Sequence, residues 1–281
     1  MRYLVTGASG FVGSNLVPMM RVRGLDVATP PSREFSLLKQ LDVWRLLNQY
    51  DPDVVVHLAG LVGGILANKT RPAEFFYQNL LMNTVLMHES WRRGVKKYVT
   101  LIGGCSYPAR AISPIEESAL LKGYPQVESA PYSLAKAMGV VQAQAYRAQY
   151  GFNAVVLVPG NLYGPHDNFD LDTGHVIPAL IRKTRDAKRE GKALVCWGSG
   201  APERDFIYVE DACEAVLHAV LHYDEPEIIN ISSGVSTSIR SLVSEIAQLL
   251  DFDGSVEWDP SKPDGQRVKV FAVSRMVERL G

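Results

Sequence analysis

The chain has 281 residues, of which 47% are hydrophobic, so it is long enough to bury one large core with a smaller lobe attached. Its 29 basic and 30 acidic residues give a formal net charge of -1, which argues against a general attraction to nucleic acid or to an anionic membrane surface. Three cysteines without CxxC spacing argue against a disulfide framework and against a structural metal site.

The chain passes directly into "RYLVTGASG", without a charged leader and a long apolar core. No later stretch stays apolar and uncharged for about 18 residues, the length that a membrane-spanning helix needs. The odd number of cysteines fits a reducing compartment. We therefore expect a soluble cytoplasmic protein with no membrane partner and no nucleic-acid partner.

Short β-branched runs alternate with amphipathic helical stretches through the first part of the chain, which is typical of a parallel sheet built from crossover units. The clearest predicted strands are "RYLVTG", "DVVVHLAG", "KYVTLIGG" and "NAVVLVPG", and each ends in glycine. Helices are predicted from about 13–22, 42–49, 75–94 and 133–150. The sequence therefore predicts an α/β fold with a Rossmann-type, doubly wound parallel sheet, which binds ligands beyond the carboxyl ends of its strands.

After Gly164 the pattern loosens into a polar loop and a charged helix, which suits a smaller C-terminal lobe that covers a substrate. The later strand "EIINISSG" and the helix "VEDACEAVLHAVL" before it are predicted to return to the sheet. We expect a dinucleotide-binding domain over 1–163 together with 205–233, and a substrate-binding lobe over 164–204 and 234–281.

The segment "VTGASGFVG" places glycines after the first predicted strand and at the beginning of the first predicted helix. These glycines permit a tight turn and close approach of the backbone, so that the helix N-terminus can face a pyrophosphate. The position directly behind "YLVT" favours dinucleotide binding over the alternative, a plain tight turn. The candidate residues of this segment are Gly7, Gly10, Phe11, Val12 and Gly13.

The end of the second predicted strand decides between NAD and NADP. An acidic side chain there would bind the ribose hydroxyls, but "DVATPPSREF" offers none. Arg33 can pair with a 2′-phosphate, and the alternative is a solvated loop arginine. The sequence favours NADP(H) as the cofactor and leaves NAD(H) as the alternative.

The segment "YSLAK" places Tyr132 and Lys136 near the start of a predicted helix, at a spacing that projects both side chains from one face. We expect the cation to lower the pKa of the phenol from about 10 and to bind the nicotinamide ribose, while the phenol exchanges a proton with a substrate oxygen. Behind a nucleotide-binding loop, this pair resembles the extended short-chain dehydrogenase/reductase family.

Longer phrases resemble, within that family, the GDP-L-fucose synthases over nearly the whole chain. They are "GLVGGILANKTRPAEFFYQNLLMN", "CSYP", "APYSLAKAMG", "PGNLYGPHDNF", "GHVIPALIRK", "WGSGAPERDFIYVED" and "KPDGQR". These enzymes epimerise and then reduce GDP-4-keto-6-deoxy-mannose. The resemblance implies a GDP-sugar substrate and a homodimer formed through the helices at 75–94 and 133–150.

The resemblance implies that Cys105 and His175 exchange protons at C3 and C5 of a keto sugar. A hydrogen next to a ketone is acidic because the enolate is delocalised, and epimerisation needs a base on one face of the ring and an acid on the other. A thiol and an imidazole suit that exchange near neutral pH. The alternatives are a small buried hydrophobic residue for Cys105 and a helix-capping or packing residue for His175.

The resemblance also implies binding residues. The substrate-binding positions are Asn161, Lys183, Trp197 and Arg204, and the further cofactor-binding positions are Leu58, Ala59, Lys136, Pro159, Asn161 and Leu162. A guanidinium at 204 can bind diphosphate oxygens as a forked pair, and the alternative is an ion pair with Glu203 or Asp205. Lys183 stands where relatives often have arginine, so the charge is kept but the planar fork is lost.

Gly103 departs from the family, which usually carries serine or threonine there to hydrogen-bond the C4 oxygen beside Tyr132. The absence of a side-chain hydroxyl at position 103 is expected to weaken hydride transfer and stabilisation of the enolate. Three outcomes stay open: Ser106 or water substitutes, the glycine makes room for a different substrate, or the protein epimerises without reducing well. A dehydratase is disfavoured because "GGCSYP" has no acidic residue.

The leading hypothesis is an NADP(H)-dependent nucleotide-sugar epimerase, possibly an epimerase/reductase, acting at C3 and C5 of a GDP-4-keto-6-deoxy-hexose or a related GDP-keto-sugar. One alternative is a nucleotide-sugar 4-epimerase, which uses transient oxidation through Tyr132 and Lys136 and does not need Cys105 or His175. Another alternative is a cofactor-binding protein with weakened catalysis, which only the missing hydroxyl favours.

Overall fold

The structure is a computed structural model that describes residues 1–171, 173–262 and 264–281. Its strands are β1 (Arg2–Thr6), β2 (Asp26–Ala28), β3 (Val54–His57), β4 (Lys97–Leu101), β5 (Ala154–Pro159), β6 (Asn161–Tyr163), β7 (Leu194–Trp197), β8 (Glu203–Tyr208), β9 (Ile229–Ile231), β10 (Ser236–Ser238), β11 (Val256–Asp259) and β12 (Val268–Lys269). Its α-helices are α1 (Phe11–Val22), α2 (Gln40–Tyr50), α3 (Ile65–Thr70), α4 (Pro72–Arg92), α5 (Ala130–Tyr150), α6 (Val176–Glu190), α7 (Val209–His222), α8 (Ile239–Leu249) and α9 (Ser274–Leu280).

The main sheet of the described chain has the strand order β2-β1-β3-β4-β5-β9. Every neighbouring pair in it is parallel, so the predicted Rossmann-type sheet is confirmed. The central strands β3, β4 and β5 are buried along their whole length, and their β-branched runs suit strands that are covered on both faces. Their carboxyl ends lie at one edge, where Thr6 pairs with His57 and His57 with Thr100.

Helices cover both faces of the main sheet. On one face α1 and α7 pack together, and their apolar side chains share a core cluster with β1. On the other face α2, α4 and α5 pack in sequence, with a second cluster beneath them. Alternating crossovers that place helices on both faces define a doubly wound fold.

The helix boundaries explain where the sequence-based ranges fell short. α4 begins at Pro72, whose fixed φ and missing N–H suit the first position of a helix, and it ends before Gly94 with φ of 73°. α5 ends at Gly151, which adopts the left-handed conformation with φ of 63°. Each of the four predicted ranges began two or three residues after the helix does. No helix in the described residues is long and apolar enough to cross a membrane.

A smaller sheet is built around β8, which pairs with β6 and β12 in parallel and with β10 in antiparallel register. The parallel pair β7 and β11 lies beside α6 and α8, with a third apolar cluster between them. β9 extends the main sheet next to β5, while β8 belongs to the smaller sheet. The chain therefore crosses between the sheets at β5, β6, β8 and β9, close to the carboxyl ends of the central strands.

Candidate active site

The loop from β1 to α1 packs backbone to backbone against the loop that follows β3. A Cβ at Gly7 would lie 2.6 Å from the Ala59 nitrogen, and a Cβ at Gly13 would lie 2.3 Å from the Gly7 oxygen. Gly7 also has φ of +72°, so glycine is required there. Gly10 precedes α1 and provides no capping side chain. This cradle places the start of α1 next to Leu58 and Ala59, as a pyrophosphate site requires.

The end of β2 lacks a carboxylate, as the sequence indicates. Arg33 is exposed in the turn that follows, and no ion pair holds it within the described residues. Arg21, near the end of α1, donates to Thr29 Oγ1 at 3.3 Å and so brings a further cation to this strand end. Two arginines beside the expected adenosine ribose suit a 2′-phosphate.

The catalytic candidates Cys105 and Tyr132 lie together at the carboxyl end of β4. Gly103 follows this strand, and a Cβ built on it would lie 3.1 Å from Cys105 Sγ and 3.7 Å from Tyr132 Oη. Lys136 lies on α5 one helical turn after Tyr132. Its Nζ lies 3.8 Å from a Cβ built on Gly60, in the loop that follows β3. The thiol, the phenol and the ammonium group therefore share one cluster, and the space beside the phenol lacks a side chain at position 103.

Two hydrogen bonds anchor the 3₁₀ turn Gly104–Ser106 that carries Cys105. Ser106 Oγ donates to the Ser133 carbonyl of α5 at 3.0 Å, and Tyr107 Oη donates to Asn230 Oδ1 at 2.5 Å. The idea that Ser106 replaces the missing hydroxyl is therefore wrong, because its side chain is buried and points into the start of α5.

Removal from water dominates the titration of the site. Burial raises the pKa of Tyr132, and the neighbouring Cys105 sulfur raises it further. The expectation that Lys136 lowers this pKa is thus wrong for the cofactor-free protein, and the phenol keeps its proton at neutral pH. Burial lowers the pKa of Lys136 to about 8, and Cys105 partly opposes this shift. A protonated phenol is suited to donate a proton to a substrate oxygen.

His57 lies in the interior at the end of β3, where it is 1% exposed. Burial, together with the Lys136 ammonium, lowers the pKa of His57 to about 3, so the ring is neutral. Its Nδ1 shares a hydrogen bond of 2.8 Å with Thr6 Oγ1. These contacts favour the interpretation of His57 as a strand histidine beneath the site and not as an acid or base.

We expect Lys136→Met to raise the melting temperature of the cofactor-free protein at pH 7. The lowered pKa means that burying the charged lysine destabilises the fold below pH 8, and the penalty disappears as pH rises towards the unfolded pKa of 10.5. Each pKa unit corresponds to about 1.4 kcal/mol, which limits the effect to about 3 kcal/mol. Thermal unfolding from pH 7 to 10 measures it, with the exposed Lys69→Met as control. A difference that does not shrink with rising pH would contradict the assignment.

His175 is placed at the N-cap of α6, and the structure gives it no direct contact with Cys105 or Tyr132. The loop before it is tied to the start of α3, because Gly64 N–H donates to the Thr173 carbonyl at 3.1 Å. Burial raises the pKa of Asp167 in this loop, and its charge interacts with His175. The histidine side chain is exposed.

The expected substrate residues lie on β6, α6, β7 and β8. Lys183 Nζ lies 5.0 Å from the ring centroid of Trp197, which is 61% exposed, and Lys262 Nζ lies 5.6 Å from the same ring. An exposed aromatic ring between two cations suits a planar, anionic ligand. Asn161 is fixed by donating to the Asp205 carbonyl at 2.8 Å.

Arg204 makes no ion pair with its acidic neighbours, so that alternative is wrong. Its Nη1 donates to the carbonyls of Glu203 at 2.7 Å and Gln266 at 2.6 Å. The Asp205 carboxylate is buried and accepts from Ser233, Gly234 and Phe271 instead. Backbone carbonyls orient the guanidinium, and no carboxylate of the described residues forms an ion pair with it, as an anion-binding arginine requires.

Sequence reasoning missed Lys269, which lies opposite Arg204 in the pairing of β12 with β8. Burial lowers the pKa of Lys269, the Cys105 sulfur opposes this shift, and Arg204 adds to it. A second cation therefore lies between Arg204 and the thiol-bearing turn. The signal that could have found it is a charged residue within the apolar run "VKVFAV", directly after the quoted "KPDGQR".

A dinucleotide cradle and a Tyr-Lys pair at the carboxyl ends of a doubly wound sheet define a nucleotide-dependent enzyme of the short-chain dehydrogenase/reductase class. Residues 3–232 match the NAD dependent epimerase/dehydratase family, and the chain belongs to it. The chain is 42% identical to a GDP-L-fucose synthase from Sinorhizobium fredii (strain NBRC 101917 / NGR234) over 98% of this chain and 88% of that protein. The resemblance to GDP-L-fucose synthases is thereby confirmed.

Solved structures agree with this placement. A GDP-6-OMe-4-keto-L-xylo-heptose reductase from C. jejuni superposes with a TM-score of 0.92 at 26% identity, over 100% of this chain and 92% of that chain. A GDP-L-fucose synthetase from Naegleria fowleri bound to NADP superposes with a TM-score of 0.90 at 28% identity, over 99% of this chain and 87% of that chain.

Proposed function

We propose that the protein is an NADP(H)-dependent epimerase/reductase of a GDP-4-keto-6-deoxy-hexose or a related GDP-keto-sugar. The observation that carries the proposal is the juxtaposition of the Cys105 thiol with Tyr132 and Lys136 at the carboxyl end of β4. A 4-epimerase needs the tyrosine and lysine but has no use for the thiol. The relatives, which are named for GDP-fucose and GDP-keto-sugar chemistry, also do not favour that alternative.

The proton exchange follows from the acidity of hydrogens next to the C4 ketone. In this proposal Cys105 and His175 act on opposite faces of the sugar ring, so that one removes a proton at C3 or C5 while the other returns a proton to the opposite face. The Cys105 sulfur raises the pKa values of Lys136 and Lys269 against the effect of burial, so two cations lie near the thiol. Tyr132, which keeps its proton in the free protein, hydrogen-bonds the C4 oxygen as the enolate forms.

The cofactor fits the residues present, because only a glycine loop allows the close approach between the start of α1 and the loop after β3. NADPH, when bound in this cradle, would supply the hydride for reduction at C4 of the sugar. Tyr132 donates the accompanying proton to the C4 oxygen, and Lys136 binds the ribose and holds the phenol in place. Arg33 and Arg21 bind the 2′-phosphate that distinguishes NADP from NAD.

The nucleotide sugar lies against the smaller sheet, β7 and α6 in this proposal. Trp197 and Lys183 contact the nucleotide, and Arg204 and Lys269 bind the diphosphate oxygens. Asn161 orients the sugar from the start of β6. The division into a dinucleotide-binding domain and a substrate-binding lobe stays a prediction and follows these two groups of contacts.

We expect Cys105→Ser and His175→Asn to suppress the wash-in of solvent deuterium at C3 and C5 by roughly 10²–10⁴-fold, the range for a positioned acid or base. The substrate is GDP-4-keto-6-deoxy-mannose in deuterated water, and mass spectrometry and NMR locate the deuterium. Cofactor binding is titrated in each variant and remains unchanged. His218→Asn, an exposed histidine on α7, is the matched control. Wild-type protein that catalyses no wash-in would reject the proposed function.

We further propose that the protein is a homodimer formed through α4 and α5 and that it functions in the cytoplasm. These helices pack against each other, and their outer faces expose Phe76, Tyr77, Val141 and Tyr150, which are 41%, 60%, 42% and 43% exposed. Exposed apolar side chains on adjacent helices are typical of subunit interfaces. The cysteines of the described chain are free, which suits a reducing compartment. Sedimentation equilibrium tests the dimer.

A further inference from the structure

The ring of Phe271 lies directly behind the turn that carries Cys105. A Cβ built on Gly104 would lie 2.5 Å from Phe271 Cζ, which no side chain could tolerate without a shift of the ring. A Cβ built on Gly160 would lie 3.4 Å from Cδ2 of the same ring. Gly104 precedes Cys105 and Gly160 precedes Asn161, so one ring contacts the residue before each of these site residues.

The backbone holds this ring in place. Phe271 N–H donates to the buried Asp205 carboxylate at 3.2 Å. On either side, Ile115 N–H donates to the Val270 carbonyl at 2.8 Å and Ala272 N–H donates to the Ile115 carbonyl at 3.0 Å. Phe271 is 2% exposed, so the surrounding side chains leave the ring no path outward. The ring is therefore a rigid support and not an adaptable filler.

The turn is anchored on the other side of Cys105 by the hydrogen bonds of Ser106 and Tyr107. Those bonds fix the residues after the thiol, and among the described contacts Phe271 is what limits Gly104 before it. The Tyr107 and Phe271 rings also meet, with centroids 5.8 Å apart. Contacts on both sides of Cys105 thus determine how far Sγ lies from Tyr132.

We propose that Phe271 is a positioning residue, complementary in shape to Gly104, that sets the Cys105 thiol against Tyr132. The inference rests on the proposed function, in which that thiol exchanges protons with the sugar. Shortening Phe271 lets the turn relax backwards, and adding a side chain at 104 pushes it forwards. The two changes made together compensate, because the added methyl group occupies the space that the shortened side chain leaves.

The test compares Phe271→Leu, Gly104→Ala and the double variant, with Phe152→Leu as a control that removes a buried ring from the same apolar cluster. The kcat and KM of deuterium wash-in are measured, together with the rate at which iodoacetamide alkylates Cys105 in the folded protein. We expect each single change to lower kcat by about 10- to 100-fold, the penalty for a misplaced reacting group, with KM unchanged. The alkylation rate shifts in both single variants, and the double variant recovers both quantities.

An ordinary core residue would give a different result. If Phe271→Leu lowers the melting temperature as Phe152→Leu does but keeps the wild-type kcat and alkylation rate, Phe271 is not a positioning residue. If the double variant is no better than Gly104→Ala, the shapes are not complementary and the proposal fails. If Gly104→Ala does not fold, recovery of folding in the double variant supports the proposal. Wild-type protein without wash-in, but with the expected alkylation pattern, rejects the function and supports the positioning.

Discussion

We expect Tyr132→Phe to lower single-turnover NADPH oxidation by roughly 10²–10⁴-fold, while NADPH binds almost as tightly as in the wild type. The substitution removes only the hydroxyl, and burial keeps the pKa of Tyr132 high, so this hydroxyl is a proton donor at neutral pH. The phenylalanine ring retains the edge contact with Phe75, whose centroid lies 6.1 Å away. Stopped-flow absorbance follows oxidation, and fluorescence titration follows binding.

The matched control is Tyr223→Phe. Its hydroxyl donates to the Glu227 carbonyl at 2.9 Å, after the end of α7 and away from the cleft. We expect this variant to oxidise NADPH at the wild-type rate after any loss of stability is corrected for. Oxidation that continues unchanged in Tyr132→Phe would remove the phenol from the mechanism and assign the proton to another donor.

We expect Gly103→Ser to raise the rate of reduction more than the rate of deuterium wash-in. The activation free energy of reduction falls by up to roughly 2.7–4 kcal/mol, the contribution of one oxyanion donor. The Cβ has room, because its contacts with Tyr132 would be 3.5 Å and longer, and Cys105 Sγ at 3.1 Å needs to move by only a few tenths of an ångström. The new hydroxyl lies beside the phenol and can hydrogen-bond the C4 oxygen. Both steps develop charge there, but reduction also depends on the donor at the moment of hydride transfer.

The control variant Gly103→Ala separates the effect of the hydroxyl group from the effect of the added side-chain volume. The alanine has the same Cβ and no donor, so we expect no gain in reduction. A smaller gain in the serine variant indicates that a bound water already occupies the place of the hydroxyl. Reduction by the wild type at an ordinary enzymatic rate, together with no change in Gly103→Ser, would show that the glycine is no defect.

The main sheet and its helices are predictable from the sequence because their signals are local. β-branched runs that end in glycine identify β1, β3, β4 and β5, and apolar periodicity identifies the crossover helices. The cradle around Gly7 and Gly13 is predictable for the same reason, since its glycines stand at the junction of a strand and a helix. The pairing of Tyr132 with Lys136 is predictable because their spacing is about one helical turn, which places both side chains on one face of the helix.

The rest of the site depends on contacts between segments that are distant in the chain. Lys269 and Phe271 reach the Cys105 turn only because β12 pairs with β8, and β12 is two residues long. A strand of this length has no hydrophobic periodicity from which it could be predicted. The direction of Ser106 and the carbonyl partners of Arg204 are likewise tertiary choices, so the sequence left alternatives that the structure resolves.

The pKa of Tyr132 shows why the electrostatics could not be read from spacing. A cation one helical turn away suggests a lowered phenol pKa, but the enclosed site removes the phenol from water, and this desolvation is larger. Spacing along a helix reports which groups are neighbours. It does not report how much solvent the complete fold leaves around them.

The contact of Phe271 with the Cys105 turn also affects the order in which parts of the site become available during synthesis on the ribosome. All strands of the main sheet precede residue 232, so the nascent chain can assemble the nucleotide cradle early. The support behind the thiol emerges only later, when residues 270–272 reach Ile115 and Asp205. A ribosome-stalled chain that ends before residue 270 would therefore contain every strand of the main sheet but lack the ring that lies behind the Cys105 turn.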